Sequence, residues 1–396
     1  MMTVSGNADA QQTVGNDSLR PISIDEPIDE DSLLAARMAG VEVSLLTCSP
    51  HEEVYSLYGH TALLITDRMA RRQWVFNYGV FDYRKPHFVW RFMMGQTDYR
   101  LESTPALLAW CDYYRRWGSS EEAQVLYLTP REKLQLQTAL AENLKTPVYR
   151  YNFFFDNCST RPRDIIERSL DGTVSYAERP GYEPTLRQMV HECTGSGHRW
   201  AAFGNDLLLG FRADQKTTQR ERQFLPASLS WDFDHATVVR GSDRRPLVLR
   251  RVTLIPQGQQ TVKQGFPLSP LACTLFICLL IAAVTGYELH SKRQQVWFDG
   301  VMMLLTGVAG CLLTLMFFSE HPATSTNLQV LLLNPLALLF LPQVIRRRKT
   351  VWWKLQGVCL LLFLLGALVQ DYAEGLEFVA LFLLICLHLA KQTTTG

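Results

Sequence analysis

Cys158 and His60 are the two residues whose settings suit covalent chemistry. Cys158 stands in Tyr151-Asn152-Phe153-Phe154-Phe155-Asp156-Asn157-Cys158-Ser159-Thr160-Arg161, where Pro162 and the helix formers after it predict a helix opening near the cysteine. A helix N-terminus stabilises anions, so a cysteine in its first turn has a lowered pKa and backbone N–H groups nearby to hold a developing oxyanion. A thiol nucleophile also needs a base. His60, in Ser56-Leu57-Tyr58-Gly59-His60-Thr61-Ala62-Leu63, opens an apolar strand that would keep an imidazole partly dry, and Asn77 on the next strand can take its second ring N–H and fix the tautomer. Asn157, Tyr58, Arg161 and Asp164 are expected to support the site, although Arg161 and Asp164 have a plainer structural reading as a helix-capping ion pair. Each residue has a plain structural rival: a cysteine after three phenylalanines packs as a small apolar residue, and Asn77 can simply end a strand.

Metal chemistry finds less to work with. The nine cysteines include no C-x-x-C pair, and the closest ligand-like spacing, His191-Glu192-Cys193 with His198, lies in a Gly/Ser-rich stretch that fits a loop equally well. No metal or organic cofactor is required by a thiol mechanism.

The elements that must position these residues read as alternating short strands and helices. Val41 to Thr47 has strand alternation, Glu52 to Tyr58 suits a short helix, and Thr61 to Thr66 and Gln73 to Tyr78 read as strands. The short polar turn Asp67 to Arg72 makes the last two an antiparallel hairpin, with Trp74, Phe76 and Tyr78 on one face and Val75 and Asn77 on the other. A helix from Thr129-Pro130-Arg131-Glu132 to Lys145 has a capping residue, proline in its first turn and glutamate three residues after the cap. Residues 1–38 read as a flexible polar leader, 39–230 as the domain that holds the site, 231–266 as a linker with a strand-like run from Leu247 to Ile255, and 267–396 as a membrane domain.

The formal charge of +1 averages two unlike parts. From Pro267 onward, 130 residues hold only eight Lys and Arg and six Asp and Glu. A last third this apolar excludes a wholly soluble enzyme, and the balanced charge of the rest argues against a nucleic-acid partner, which needs a basic excess. Five apolar stretches follow: Leu268 to Tyr287, Val296 to Phe318, Leu328 to Ile345, Val351 to Val369, and a short one, Leu376 to Ala390. The first four approach or exceed the roughly 18 to 20 residues that span a bilayer as helix. Asn334-Pro335 breaks the third, and Asp299 and Glu377 read as groups reaching the headgroups.

Short connectors set the orientation. Ser291-Lys292-Arg293, Arg346 to Lys349 and Lys391 are basic, while Ser319 to Asn327 and Gln370 to Gly375 carry no Lys or Arg. The basic ends are retained in the cytoplasm, which places the N-terminal domain outside it and the C-terminus inside. Arg244, Arg245, Arg250, Arg251 and Lys263 oppose this, but charges of a folded domain count less than those of a short loop. An exported domain needs a signal, and Met1 to Arg20 has no basic start followed by an apolar run, so either an upstream segment lies outside this sequence or the domain is not exported.

Three strings, Tyr58-Gly59-His60-Thr61, Phe76-Asn77-Tyr78-Gly79-Val80-Phe81-Asp82 and Tyr151 through Arg161, resemble the periplasmic domain of the Lnb-type lipoprotein N-acyltransferases of Gram-negative bacteria. The likeness covers about residues 40 to 230, and a C-terminal bundle of membrane helices also matches that architecture. It implies an α+β papain-like domain of the permuted, lecithin-retinol-acyltransferase-like kind, in which histidine precedes cysteine, followed by an all-α transmembrane bundle of about five helices in the bacterial inner membrane. It implies Cys158 as nucleophile and His60 as base, with Asn77 the choice for third group. The acyl donor would be a membrane phospholipid and the acceptor the α-amino group of a diacylated lipoprotein. Rival readings with the same residues are a phospholipase or lysophospholipid acyltransferase, and a cysteine peptidase or amidase of the cell envelope.

Overall fold

The computed structural model describes residues 29–194, 197–260 and 265–394; the leader up to residue 28 and Lys263 lie outside them. Among the described residues ten strands are formed: β1 (Val41–Cys48), β2 (His60–Asp67), β3 (Arg72–Val80), β4 (Asp98–Thr104), β5 (Glu121–Leu126), β6 (Val148–Arg150), β7 (Thr173–Ser175), β8 (Thr237–Arg240), β9 (Asp243–Pro246) and β10 (Val248–Ile255). Seven build one antiparallel sheet in the order β10-β5-β1-β2-β3-β4-β6, and β7, β8 and β9 form a small second sheet. The N-terminal domain is therefore α+β, and the strand-like run after Leu247 is an edge strand of its main sheet.

Helices α1 (Glu30–Met38), α2 (Phe88–Met93), α3 (Leu107–Arg116), α4 (Pro130–Lys145), α5 (Thr160–Arg168), α6 (Leu186–Thr194), α7 (Arg199–Leu208), α8 (Gln219–Arg222) and α9 (Pro226–Asp234) complete the domain. The last nine residues of the segment read as a leader thus form α1, because Met38 and Leu34 find the apolar cluster that also buries Leu136 and Leu140 of α4. Thr129 and Glu132 close the expected capping box on α4. The segment expected as a short helix before Tyr58 is a 3-10 turn, Val54–Ser56.

Pleating assigns the two sheet faces. Leu63, Ile65 and Tyr78 pack under α4, α5 and α9 in the main core, while Ala62, Leu64 and Val75 face the opposite side with Leu107 and Trp110 of α3. Burying each such leucine or isoleucine is worth roughly 1.5–3 kcal/mol, so a one-residue slip of β2 would invert both cores. His60 shares parity with Ala62, and Asn77 with Val75, so both belong to the α3 side.

The C-terminal region is helical: α10 (Pro270–Ser291), α11 (Val296–Met316), α12 (Leu336–Ile345), α13 (Trp352–Gly366) and α14 (Leu376–Thr394). Among the described residues three stretches are long and apolar enough to cross a membrane, Pro270–Ser291, Val296–Met316 and Leu328–Ile345, and two apolar helices are shorter. The third begins as a 3-10 turn, Leu328–Leu331, and restarts as α12 after Asn334-Pro335. That break is packed, not open: a Cβ on Gly310 of α11 would overlap the Leu333 carbonyl.

The domain rests on the connectors that lack Lys and Arg. Gly210 N–H donates to Ala323 C=O and Phe211 N–H to Thr326 C=O, both at about 3 Å (2.8 and 3.1 Å). Asn327, Gln329 and Gln370, all buried, donate to the Leu207, Asp206 and Leu209 carbonyls at 2.8, 2.8 and 3.4 Å. Phe203 and Leu207 of α7 pack into the membrane cluster. Each buried amide left unmade would cost about 1–3 kcal/mol, which fixes how the domain sits on the bundle.

Candidate active site

Strand β2 begins at His60, and α5 begins two residues after Cys158. Cys158 thus sits in the turn before the regular helix rather than in its first turn. The reason is local: Pro162 has no N–H to give the Cys158 carbonyl, so the main-chain bond that closes this turn runs from Arg161 N–H to Asn157 C=O, 3.2 Å. Asn157 is the real cap. Its Oδ1 accepts from the Ser159 and Thr160 N–H groups at 2.8 and 3.0 Å, and its Nδ2 donates to the Phe153 and Phe224 carbonyls at 2.8 and 2.9 Å. Every polar atom of this side chain is therefore spent on the shape of the cysteine turn.

The turn is tied to β2 by the buried hydroxyls of Ser159 and Thr61, 3.0 Å apart. Across the same junction the Cys158 thiol and the His60 imidazole are near enough to shift each other's ionisation. His60 Nε2 lies 2.8 Å from Asn77 Oδ1, which also accepts from Gly79 N–H at 2.7 Å. The Gly79 donor identifies the Asn77 oxygen, so Nε2 carries the histidine proton and Nδ1 is left for the thiol. The structure thus brings Cys158, His60 and Asn77 together in one chain of contacts.

Electrostatics follow from that chain. Burial alone would push the Cys158 thiol up, but the His60 charge and hydrogen bond, the Thr61 backbone N–H and the Ser159 hydroxyl bring it below the ordinary thiol value. Burial alone would push His60 down, but the thiolate and the bonds to Cys158 and Asn77 raise it. Both directions favour a thiolate–imidazolium pair, a nucleophile already ionised and a proton already held for a leaving group.

The supporting residues separate. Tyr58 lines the site, its ring edge-on to Phe153 at 4.8 Å and its hydroxyl accepting from Asn205 Nδ2 at 2.7 Å, which links the site to α7. Arg161 does not form the alternative ion pair with Asp164. It forks onto Asp156 at 2.6 and 2.7 Å and lies over the Tyr149 ring, holding the 152–156 loop, while Asp164 takes Arg163 and Arg220. His191 and Cys193 fall on α6 rather than in a loop, and His191 bonds Asp206 at 2.8 Å. Among the described residues no three His, Cys, Asp or Glu side chains gather in a way that would hold a metal ion.

Cys158, His60 and Asn77 all line a cavity of about 460 Å³. Its other walls are chiefly aromatic, including Tyr55, Phe81, Tyr99, Trp110 and Phe153, a lining suited to apolar chains with a few polar groups at one end. A broader basin of about 630 Å³, walled by Arg68, Arg71 and Arg72, lies at the far end of the β2–β3 hairpin from His60.

Among the lining residues that sequence reasoning passed over, two meet the His60 ring. A Cβ on Gly79 would overlap the His60 ring, and a glycine inside a strand signals such close approach. Trp110 tilts over His60 with centroids 5.9 Å apart, and nothing in its local sequence marks it.

Residues 31–192 match the Lnb N-terminal periplasmic domain, and residues 261–393 match the Lnb transmembrane domain. Neither the curated proteins nor the solved structures compared with the chain yield a match. Both expected parts are present in the expected order, an α+β domain that carries the cysteine–histidine pair and an apolar helical region on which it rests, and the chain belongs to the Lnb family, with a periplasmic domain ahead of its membrane domain.

Proposed function

We propose that this protein is a lipoprotein N-acyltransferase that carries an acyl chain on Cys158. The observation that supports this most is the Cys158–His60–Asn77 chain opening on an aromatic-walled cavity, in a domain docked onto membrane helices. The Cys158 thiolate attacks the ester carbonyl carbon of a phospholipid, and as the C–O bond breaks the His60 imidazolium gives its proton to the departing lysophospholipid oxygen. This leaves a thioester and neutral His60. The α-amine of a diacylated lipoprotein then attacks the thioester carbonyl, His60 takes the proton from nitrogen, and the C–S bond breaks to restore the ion pair. Asn77 holds the ring throughout.

The basic connectors Lys292-Arg293 and Arg346–Lys349 belong on the cytoplasmic side of the inner membrane, with the C-terminus, which leaves the site at the outer face where both substrates reside. The test is acyl transfer in phospholipid micelles to a diacylated lipopeptide. Wild type should form the triacylated product, and Cys158→Ser and His60→Ala should lose it while remaining folded. Free fatty acid released as fast without acceptor would favour a phospholipase instead.

A further inference from the structure

Helix α2 and the turn before it present apolar side chains to the outside. Val89 is 70% exposed, Trp90 52% and Phe92 45%, a density of bare apolar surface that a water-facing helix of this length does not need. The segment is fastened to the outer end of the bundle. Met93 C=O accepts from Ser319 Oγ at 2.8 Å, Met94 C=O accepts from Glu320 N–H at 3.0 Å, and Phe92 C=O lies 3.0 Å from His321 Nε2. These partners directly follow α11, whose outer end leaves Phe318 74% exposed. The bare face of α2 therefore continues the apolar surface of a membrane helix at the level where aromatic residues anchor to a bilayer. Exposed Lys85 flanks it with the charge that suits phosphate headgroups, beside Arg84, which pairs with Asp82 at 3.1 Å.

On its other side α2 leads to the site. Phe92 and Phe88 have ring centroids 6.2 Å apart, Phe88 and Phe81 stack at 5.8 Å, and Phe81 is a wall of the cavity that holds Cys158.

We propose that α2 dips into the outer leaflet beside α11, with bilayer phospholipid as its occupant, and that the Phe92–Phe88–Phe81 row is the apolar path from that leaflet to Cys158. The path rests on the acyl-transfer reading; the seating of α2 does not.

Seating is read by fluorescence of the full chain in vesicles of phosphatidylethanolamine and phosphatidylglycerol with chains brominated near the glycerol. The emission lost in Trp90→Phe is the Trp90 contribution. Bromine is expected to quench most of it while aqueous iodide does not; quenching by iodide and not by bromine overturns the seating. The path is read without any acyl transfer, by comparing how fast Cys158 is labelled by a long-chain acyl maleimide dissolved in the bilayer and by soluble iodoacetamide. Val89→Asp/Trp90→Asp should slow the first by at least about tenfold and leave the second unchanged, whereas Trp90→Leu, which keeps the surface apolar, should label as wild type. Unchanged maleimide labelling in the Asp variant, or equal slowing in the Leu and Asp variants, overturns the path. Failure of triacylated product to appear would count against the acyltransferase reading alone, since neither readout uses it.

Discussion

Asn77 Oδ1 stands 2.8 Å from His60 Nε2 while accepting a second hydrogen bond from Gly79 N–H. The amide is thereby fixed by its own strand before it meets the ring, and the ring's free Nδ1 is committed to Cys158. Removing the acceptor should release the tautomer without opening the core. Asn77→Ala is expected to lower the acylation rate by roughly 100-fold with little change in KM. Asn77→Asp keeps an acceptor and adds charge, so it should recover most of the rate and move the basic limb of the pH profile upward, because a carboxylate favours the imidazolium. Single-turnover acylation across pH separates the two, and an Asp variant as slow as the Ala variant would show that Asn77 only ends the strand.

The Cys158 thiol should react as a thiolate at pH values where an ordinary cysteine does not. Its iodoacetamide rate is expected to rise with a midpoint below that of a free thiol, because the His60 charge and the hydrogen bonds from His60, the Thr61 N–H and the Ser159 hydroxyl together outweigh burial. In His60→Ala only burial and the weaker hydrogen bonds remain, so the midpoint should move above the ordinary value. The sign is decisive: a midpoint that fell, or stayed, on removing His60 would mean that the pair does not ionise together.

Gly79→Ala tests the closeness of the strand to the ring. The added methyl meets the His60 imidazole, and a displacement of about 1 Å at a reacting group costs on the order of 100-fold. Both acyl transfer and Cys158 alkylation at neutral pH should fall, since the ring can no longer reach the thiol, while the thermal midpoint changes little. An active Gly79→Ala enzyme would mean that His60 has room to move aside.

How much of this was legible depends on whether the signal is local. The β2–β3 hairpin, the α4 capping box and the cysteine turn are written in contiguous residues, and period-two parity placed Asn77 on the face opposite Tyr78. The Arg161 partner was misjudged because Asp164, three residues on, is the helical neighbour, whereas Asp156 is brought close by a loop that pairs Asn152 with Asp156 backbone to backbone. The extent of α1 was missed because nine residues are too few for a helix that is stable alone, and these gain their stability from Leu34 and Met38 against a core assembled much later in the chain. The aromatic cavity wall is non-local throughout: Trp110, Tyr99 and Phe153 come from three separate elements, and only the sheet order brings them around one thiol.

Behind His60 lies a group that the proposed reaction does not use. Glu121 of β5 faces Cys48 of β1 in register, and Cys48 faces His60, so the carboxyl stands in the same cross-strand row. It is fully buried, and neither oxygen meets a hydrogen-bond partner at normal geometry among the described residues. Burial lifts its pKa to about 7, with Cys111 and Trp110 pulling the other way. A carboxyl raised in the folded state favours folding while protonated, so its contribution is complete below the unfolded value of 4.5 and is lost as pH rises through about 7. Above that pH the ionised group costs up to roughly 3 kcal/mol. Glu121→Gln removes the charge and keeps the shape, and should raise the thermal midpoint of the full chain at pH 8 while leaving it nearly unchanged at pH 4. An equal gain at both would trace the effect to packing, and a loss at pH 8 would mean that the carboxylate has a partner that stabilises its charge.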